Sequence, residues 1–144
     1  MRALFDTSVL VASLVAKHPH HARSISAVAD VLRGRATGCV AAHGVAETYA
    51  VLTSLPVTPR IGPESAHRMV ADNILAHFET VALTAREYAA VVASIAEQGT
   101  IGGATYDAIH AACARKGRAD RLYTFNTAHF CRVAPDLADR VVAP

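Results

Sequence analysis

Residues 2–10 read Arg2-Ala3-Leu4-Phe5-Asp6-Thr7-Ser8-Val9-Leu10. Arg2 to Phe5 is short and apolar, as a strand buried on both faces would be. It runs directly into Asp6-Thr7-Ser8, a helix-start signal, and the apolar run from Val9 to Val15 continues as that helix. A strand feeding straight into a helix is the first half of a βαβ crossover, and the chain keeps returning to this pattern. After the loop His18-Pro19-His20-His21, a helix to about Arg33 carries Ile25, Val28, Ala29 and Leu32 on one face. Cys39-Val40-Ala41 is a second strand, followed by a helix from Ala42 to Leu55 that Pro56 and Pro59 end. Pro63 opens a helix to about Phe78, and the stretch from Arg60 to Phe78 is open to reading as a protruding arm. Thr80 to Leu83 is a third strand. Thr84 caps the next helix, with Glu87 in its first turn, to about Gln98-Gly99. Gly99 to Gly103 leads into a helix from Ala104 to Lys116, closed by Gly117. Leu122 to Phe125 is a fourth strand, and Arg140 to Ala143 is an edge strand.

Short apolar strands alternating with helices of ten or more residues imply parallel strands joined by crossovers on both faces. The expected fold is therefore α/β, a three-layer α/β/α sandwich around a mostly parallel sheet of four to five strands. At 144 residues the chain reads as a single domain, 1–144. A hydrophobic fraction of 52% against 18% charged residues excludes a disordered chain. The longest stretch without charge is Thr48 to Pro59, 12 residues, well short of the ~20 apolar residues a membrane helix needs. Asp6 at the head of the first apolar run argues against a secretion signal. Cys39, Cys113 and Cys131 are odd in number and contain no C-x-x-C, which fits thiols in a reducing cytoplasm. A net charge of +2 permits a polyanionic partner without requiring one.

Ligands of open α/β sheets bind at the carboxyl ends of the strands. Asp6 falls at the end of the first strand, and Thr124 and Asn126 at or just past the end of the fourth. Glu47 lies on the helix after the second strand, among Val45, Ala46, Ala50 and Val51. Asp107 and His110, three residues apart near a helix start, share one face. The candidate constellation is Asp6, Glu47, Asp107 and Asn126. Three carboxylates on one rim repel unless a cation neutralises them. Hard oxygen donors favour Mg²⁺ or Mn²⁺, and such an ion suits phosphodiester hydrolysis by water. Each residue also has a plainer role: Asp6 as a helix cap, Asp107 at a helix dipole, Glu47 as a solvated helix residue, Asn126 in a turn.

Taken in order, four segments resemble the PIN-domain family, and within it the VapC-type toxins of toxin–antitoxin pairs. They are Leu4-Phe5-Asp6-Thr7-Ser8; Glu47 after the second strand; Gly102-Gly103 before Tyr106-Asp107-Ala108-Ile109-His110-Ala111-Ala112; and Leu122-Tyr123-Thr124-Phe125-Asn126 running into His129-Phe130. The resemblance implies a Mg²⁺- or Mn²⁺-dependent endoribonuclease, a homodimer silenced by a small cognate antitoxin. It implies Asp6, Glu47 and Asp107 as the acidic positions, with Ser8 and Thr124 as supporting hydroxyls. Asn126 stands where many members carry a fourth acid.

Arg115, Lys116, Arg118, Arg121 and Arg132 are opposed only by Asp120. They read either as an RNA-backbone contact or as a solvated helix end. The His18-Pro19-His20-His21 loop is open to metal binding or simple exposure, and His43 to capping or to facing RNA. His110 reads as packed beside Asp107 rather than as a general base, and Tyr106 as a base-stacking platform or a core aromatic. The rival readings are a PIN-like domain that binds RNA without cutting it and a receiver-like signalling domain. The second needs an acidic pair after strand one, an acceptor Asp after strand three and a Lys near the end of the sheet; here Thr7 follows Asp6, Thr84 follows Leu83, and the last strands carry Arg but no Lys. A D-x-D phosphatase fails at Ser8, where its second Asp belongs.

Overall fold

The computed structural model describes residues 1–144. Five parallel strands form one sheet: β1 (Arg2–Phe5), β2 (Thr37–Ala41), β3 (Phe78–Val81), β4 (Arg121–Tyr123) and β5 (Val141–Val142), in the order β3-β2-β1-β4-β5. The helices are α1 (Thr7–Leu14), α2 (His21–Leu32), α3 (Ala42–Ser54), α4 (Pro63–Val70), α5 (Ala85–Glu97), α6 (Ala104–Lys116) and α7 (Thr127–Val133).

Alternate side chains of β1 enter opposite layers, as period-two geometry requires. Ala3 and Phe5 pack with Val9 and Leu10 of α1, Val28 and Val31 of α2, and Ile74. Leu4 packs with Ile95 of α5, Ala111 of α6 and Phe130 of α7. This is the expected α/β/α sandwich. Its chain path runs from central β1 outward through β2 to β3, then returns past β1 to β4 and β5. The order therefore reverses between β1 and β4, and such a switch point opens a crevice at the strands' carboxyl ends.

Several boundaries differ from the sequence expectation. The helix opened by Pro63 does not reach Phe78. It ends at Val70, loosens into a π turn at Ala71–Leu75, and gives way to β3 two residues earlier than expected. Gly38 explains the register: β3 pairs Phe78 with Gly38, and a Cβ on Gly38 would lie 2.6 Å from the Phe78 ring. The ring occupies the notch that the glycine leaves. Nor is the segment after Arg60 an arm. Ala66 and Val70 of α4 pack on Val11 of α1, on Val15 just past its end, and on Leu52 of α3. The Thr84–Glu87 capping box forms as expected. Helix α7 was not anticipated, although Phe130 and Val133 are its buried i, i+3 pair. No helix is long and apolar enough to cross a membrane.

Candidate active site

Four elements deliver the four candidate residues to one crevice. Asp6 follows β1 directly, and its amide donates to Tyr123 O at 2.9 Å, extending the pairing of β1 with β4. Glu47 comes from the second turn of α3, Asp107 from the first turn of α6, and Asn126 from the residue before α7. A cavity of about 380 Å³ is lined by all four, together with Ser8, His18, His20 and Phe125. A larger cavity of about 960 Å³ shares Glu47, Asp107 and Asn126 and continues past Tyr106, His129 and Arg132. The shared residues make the two cavities one groove with the carboxylates at its middle.

Asp6 occupies the N-cap position of α1 but makes no capping bond. Its Oδ2 instead accepts from Ser8 Oγ at 2.7 Å and Thr124 Oγ1 at 2.9 Å. Thr124 Oγ1 in turn accepts from the Asn126 amide at 2.9 Å, and Ser8 Oγ from the Phe125 amide at 3.2 Å. Both hydroxyls thus orient the carboxylate and tie β1 to the end of β4. Asp6 is 4% exposed. Its Oδ1 lies 3.8 Å from His110 Nε2.

Glu47 is held from two sides. Thr7 Oγ1 donates to its Oε2 at 2.6 Å, and His110 Nε2 stands 3.2 Å from the same oxygen. Both neighbours of that nitrogen are acceptors, so Nε2 carries the hydrogen. The His110 bond is the main reason the Glu47 carboxyl sits below its usual range, with the Thr7 bond adding to it and burial opposing. His110 itself is 1% exposed, and its Nδ1 has no partner. A Cβ on Gly44 would fall 2.8 Å from its Cε1. Only glycine lets α3 come this close to the ring.

Asp107 behaves differently. Burial, then the charge of Asp6, push its carboxyl up to about 6, with a further contribution from Glu47. His129 Nδ1, 3.7 Å from Asp107 Oδ2, and His110 pull the other way. Burial and a neighbouring carboxylate both disfavour the charged form, so the cluster is costly to ionise fully without a cation. The donors are all oxygen, which fits Mg²⁺ or Mn²⁺ better than zinc. No three His, Cys, Asp or Glu side chains converge into a ready-made cage.

Thr7 joins the site beyond the residues expected of it. Thr7 escaped notice because Asp6-Thr7-Ser8 reads as a cap, in which adjacent hydroxyls seem interchangeable; on α1 they point to different partners. The basic cluster does not, as a whole, line the groove. Arg115 forms a two-point pair with Asp136 (2.8 and 2.6 Å), and Lys116 pairs with Glu87 at 2.6 Å. Helix α6 ends where Arg2 Nε donates to Gly117 O, at the start of β1. Asp6 is at the other end, about 13 Å away at strand rise. Arg118 is exposed on that far side, and Arg121 lines a separate cavity with Met1, Arg23 and Asp30. Of the late basic run only Arg132 lines the groove.

The PIN domain model matches residues 3–135. Ribonuclease VapC40 of Mycobacterium tuberculosis H37Rv is 38% identical over 104 residues, covering 72% of this chain and 72% of that protein. Ribonuclease VapC27 of the same strain is 36% identical over 115 residues, covering 80% and 78%. In fold, the chain is similar to one in the crystal structure of VapBC2 from Rickettsia felis bound to a DNA fragment from their promoter. There the TM-score is 0.63 at 19% identity, over 100% of this chain and 98% of that one.

Proposed function

The chain belongs to the PIN-domain family, and from that membership we propose that it is the endoribonuclease toxin of a toxin–antitoxin pair, acting in the cytoplasm. The observation that carries the reading is the convergence of Asp6, Glu47 and Asp107 on one groove at the sheet's switch point. The relatives named as ribonucleases support the reaction class, and the VapBC2 complex supports an antitoxin as partner.

Asp6 and Asp107 would hold Mg²⁺ or Mn²⁺, with Glu47 as a ligand directly or through water. The ion supplies charge neutralisation and Lewis acidity toward a phosphate oxygen. The protein's own groups do the rest. His110 and Thr7 keep Glu47 ionised and fixed, while Ser8 and Thr124 aim Asp6. Asn126, exposed at the groove, orients the attacking water through an amide that both donates and accepts. Water oxygen bonds to phosphorus as the ester bond to the leaving ribose oxygen breaks, so no side chain becomes covalently attached. Arg132 lies in the groove for the RNA backbone.

The test is cleavage of single-stranded RNA by purified protein with Mn²⁺. Cleavage that stops with EDTA and returns with added metal supports the reading. RNA binding without cleavage at any metal concentration would replace it with a non-catalytic RNA-binding domain.

A further inference from the structure

Two pairs of stacked rings stand on either side of the carboxylates. Tyr106 lies on His43, with centroids 4.8 Å apart and planes 9° from parallel. His20 lies on Phe125, with centroids 4.5 Å apart and planes at 25°. Tyr106 lines the larger cavity and not the smaller; His20 and Phe125 line the smaller and not the larger. Glu47, Asp107 and Asn126 line both, so the acidic centre lies between the pairs.

Each pair is held from behind. His43 is half-buried and itself meets the edge of the buried His110 ring at 6.1 Å. Phe125 packs at the margin of the α1–α2 core, with the Arg23 guanidinium 5.7 Å from its centroid. The outer rings are open: Tyr106 is 47% exposed, and His20 is exposed as well. Tyr106, exposed and backed by another ring, is a surface on which a base can stack, and so is His20, although the His18 ring stands tilted 5.7 Å from it.

We infer that Tyr106 and His20 are stacking platforms for the bases on the two sides of the scissile phosphate. The substrate is then a single strand whose bases are splayed apart, as in a loop or bulge, because paired bases cannot reach both rings. This rests on the ribonuclease reading. It adds that the groove grips bases as well as backbone, without reading their hydrogen-bonding edges.

Binding in EDTA separates this inference from the cleavage reading. The probes are a fluorescein-labelled ten-nucleotide oligoadenylate and an abasic ribose-phosphate chain of the same length and charge, followed by anisotropy. The protein should hold oligoadenylate more tightly than the abasic chain. Tyr106→Ala and His20→Ala should each weaken oligoadenylate roughly tenfold, the strength typical of one base on one aromatic ring. Neither should change binding of the abasic chain, and Tyr106→Phe should bind as the parent does. Melting temperatures of these exposed-site variants check the fold. Equal losses on both probes, or none on either, would overturn the inference. So would variants that bind RNA normally and lose only the antitoxin, which would assign the rings to a protein partner. Failure of the parent to cleave RNA would count against the ribonuclease reading while leaving this comparison intact.

Discussion

Asp107 is the side chain whose charge the fold opposes most visibly. Its carboxyl titrates near 6 instead of near 3.8. The protonated form is therefore favoured in the folded chain. The resulting stabilisation is fully present below about pH 4 and lost as pH rises through 6. A shift of about two units bounds the effect at roughly 3 kcal/mol, and partial solvation makes it smaller. Asp107→Asn fixes the neutral form at nearly constant volume. In EDTA it should melt higher than the parent above pH 6 and no higher below pH 4, while losing RNA cleavage altogether. Melting curves from pH 4 to 8 and a cleavage assay check both halves; retained cleavage would remove Asp107 from the site. Asn126→Asp should act in the opposite sense. Asn126 is exposed in the groove, so a fourth carboxylate there adds repulsion without metal and attraction with it. The Asp variant should melt lower in EDTA and show a larger rise with Mn²⁺ than the parent. An unaltered Mn²⁺ titration would mean that this position does not face the ion.

Helix α3 is placed by Gly44. Gly44→Ala drives a methyl to 2.8 Å from Cε1 of His110, a ring that has nowhere exposed to go. Overpacking of this kind costs about 1–3 kcal/mol, and the displaced ring would also loosen its bond to Glu47. The expected result is a lower melting temperature together with reduced turnover; normal activity would show that α3 can slide without disturbing the site. Helix α6 carries a separate lesson. Arg115, Lys116 and Arg118 follow Asp107 closely in sequence, but α6 rises ~1.5 Å per residue and takes them to the far edge of the sheet. Changing all three to Ala should leave RNA affinity and its salt slope unchanged, whereas Arg132→Ala should weaken binding and flatten the slope by roughly 0.7. A flattened slope in the triple variant would restore the cluster as a backbone contact. The strand–helix alternation, β1 with Asp6, and α6 with Asp107 were legible because apolar runs and cap signals coincide there. The end of α4 was not. Ile74 and Phe78 are four apart and both buried, which satisfies a helical period even though Phe78 belongs to a strand. Only the partner of that strand, Gly38, decides the matter, and it lies forty residues away. Thr7, His20 and the order of the groove depended in the same way on contacts between distant segments.

Over the whole molecule, α5 presents Ala85, Ala89, Val92, Ala93 and Ala96 to solvent along one side. An uncovered apolar stripe of this kind is where a second copy would pack if the homodimer that the resemblance implies forms. Sedimentation equilibrium should return twice the 15.2 kDa chain mass. Val92→Glu should return the single mass while RNA binding by the groove persists, and a parent that sediments as a monomer would set the homodimer aside. The bond between Thr124 and Asp6 joins positions 118 apart in sequence, and it has a consequence for synthesis. During translation β1 emerges first and waits as an edge strand, paired at most with β2. Its future neighbour β4 and the carboxylate of Asp107 are still unmade. Asp6 has no second hydroxyl to aim it, and no opposing acid with which to share a cation. The hydrolytic centre is thus among the last things the growing polypeptide completes. On the proposed reading, a nascent chain cannot assemble its acidic centre before the segment that carries Thr124 has been made.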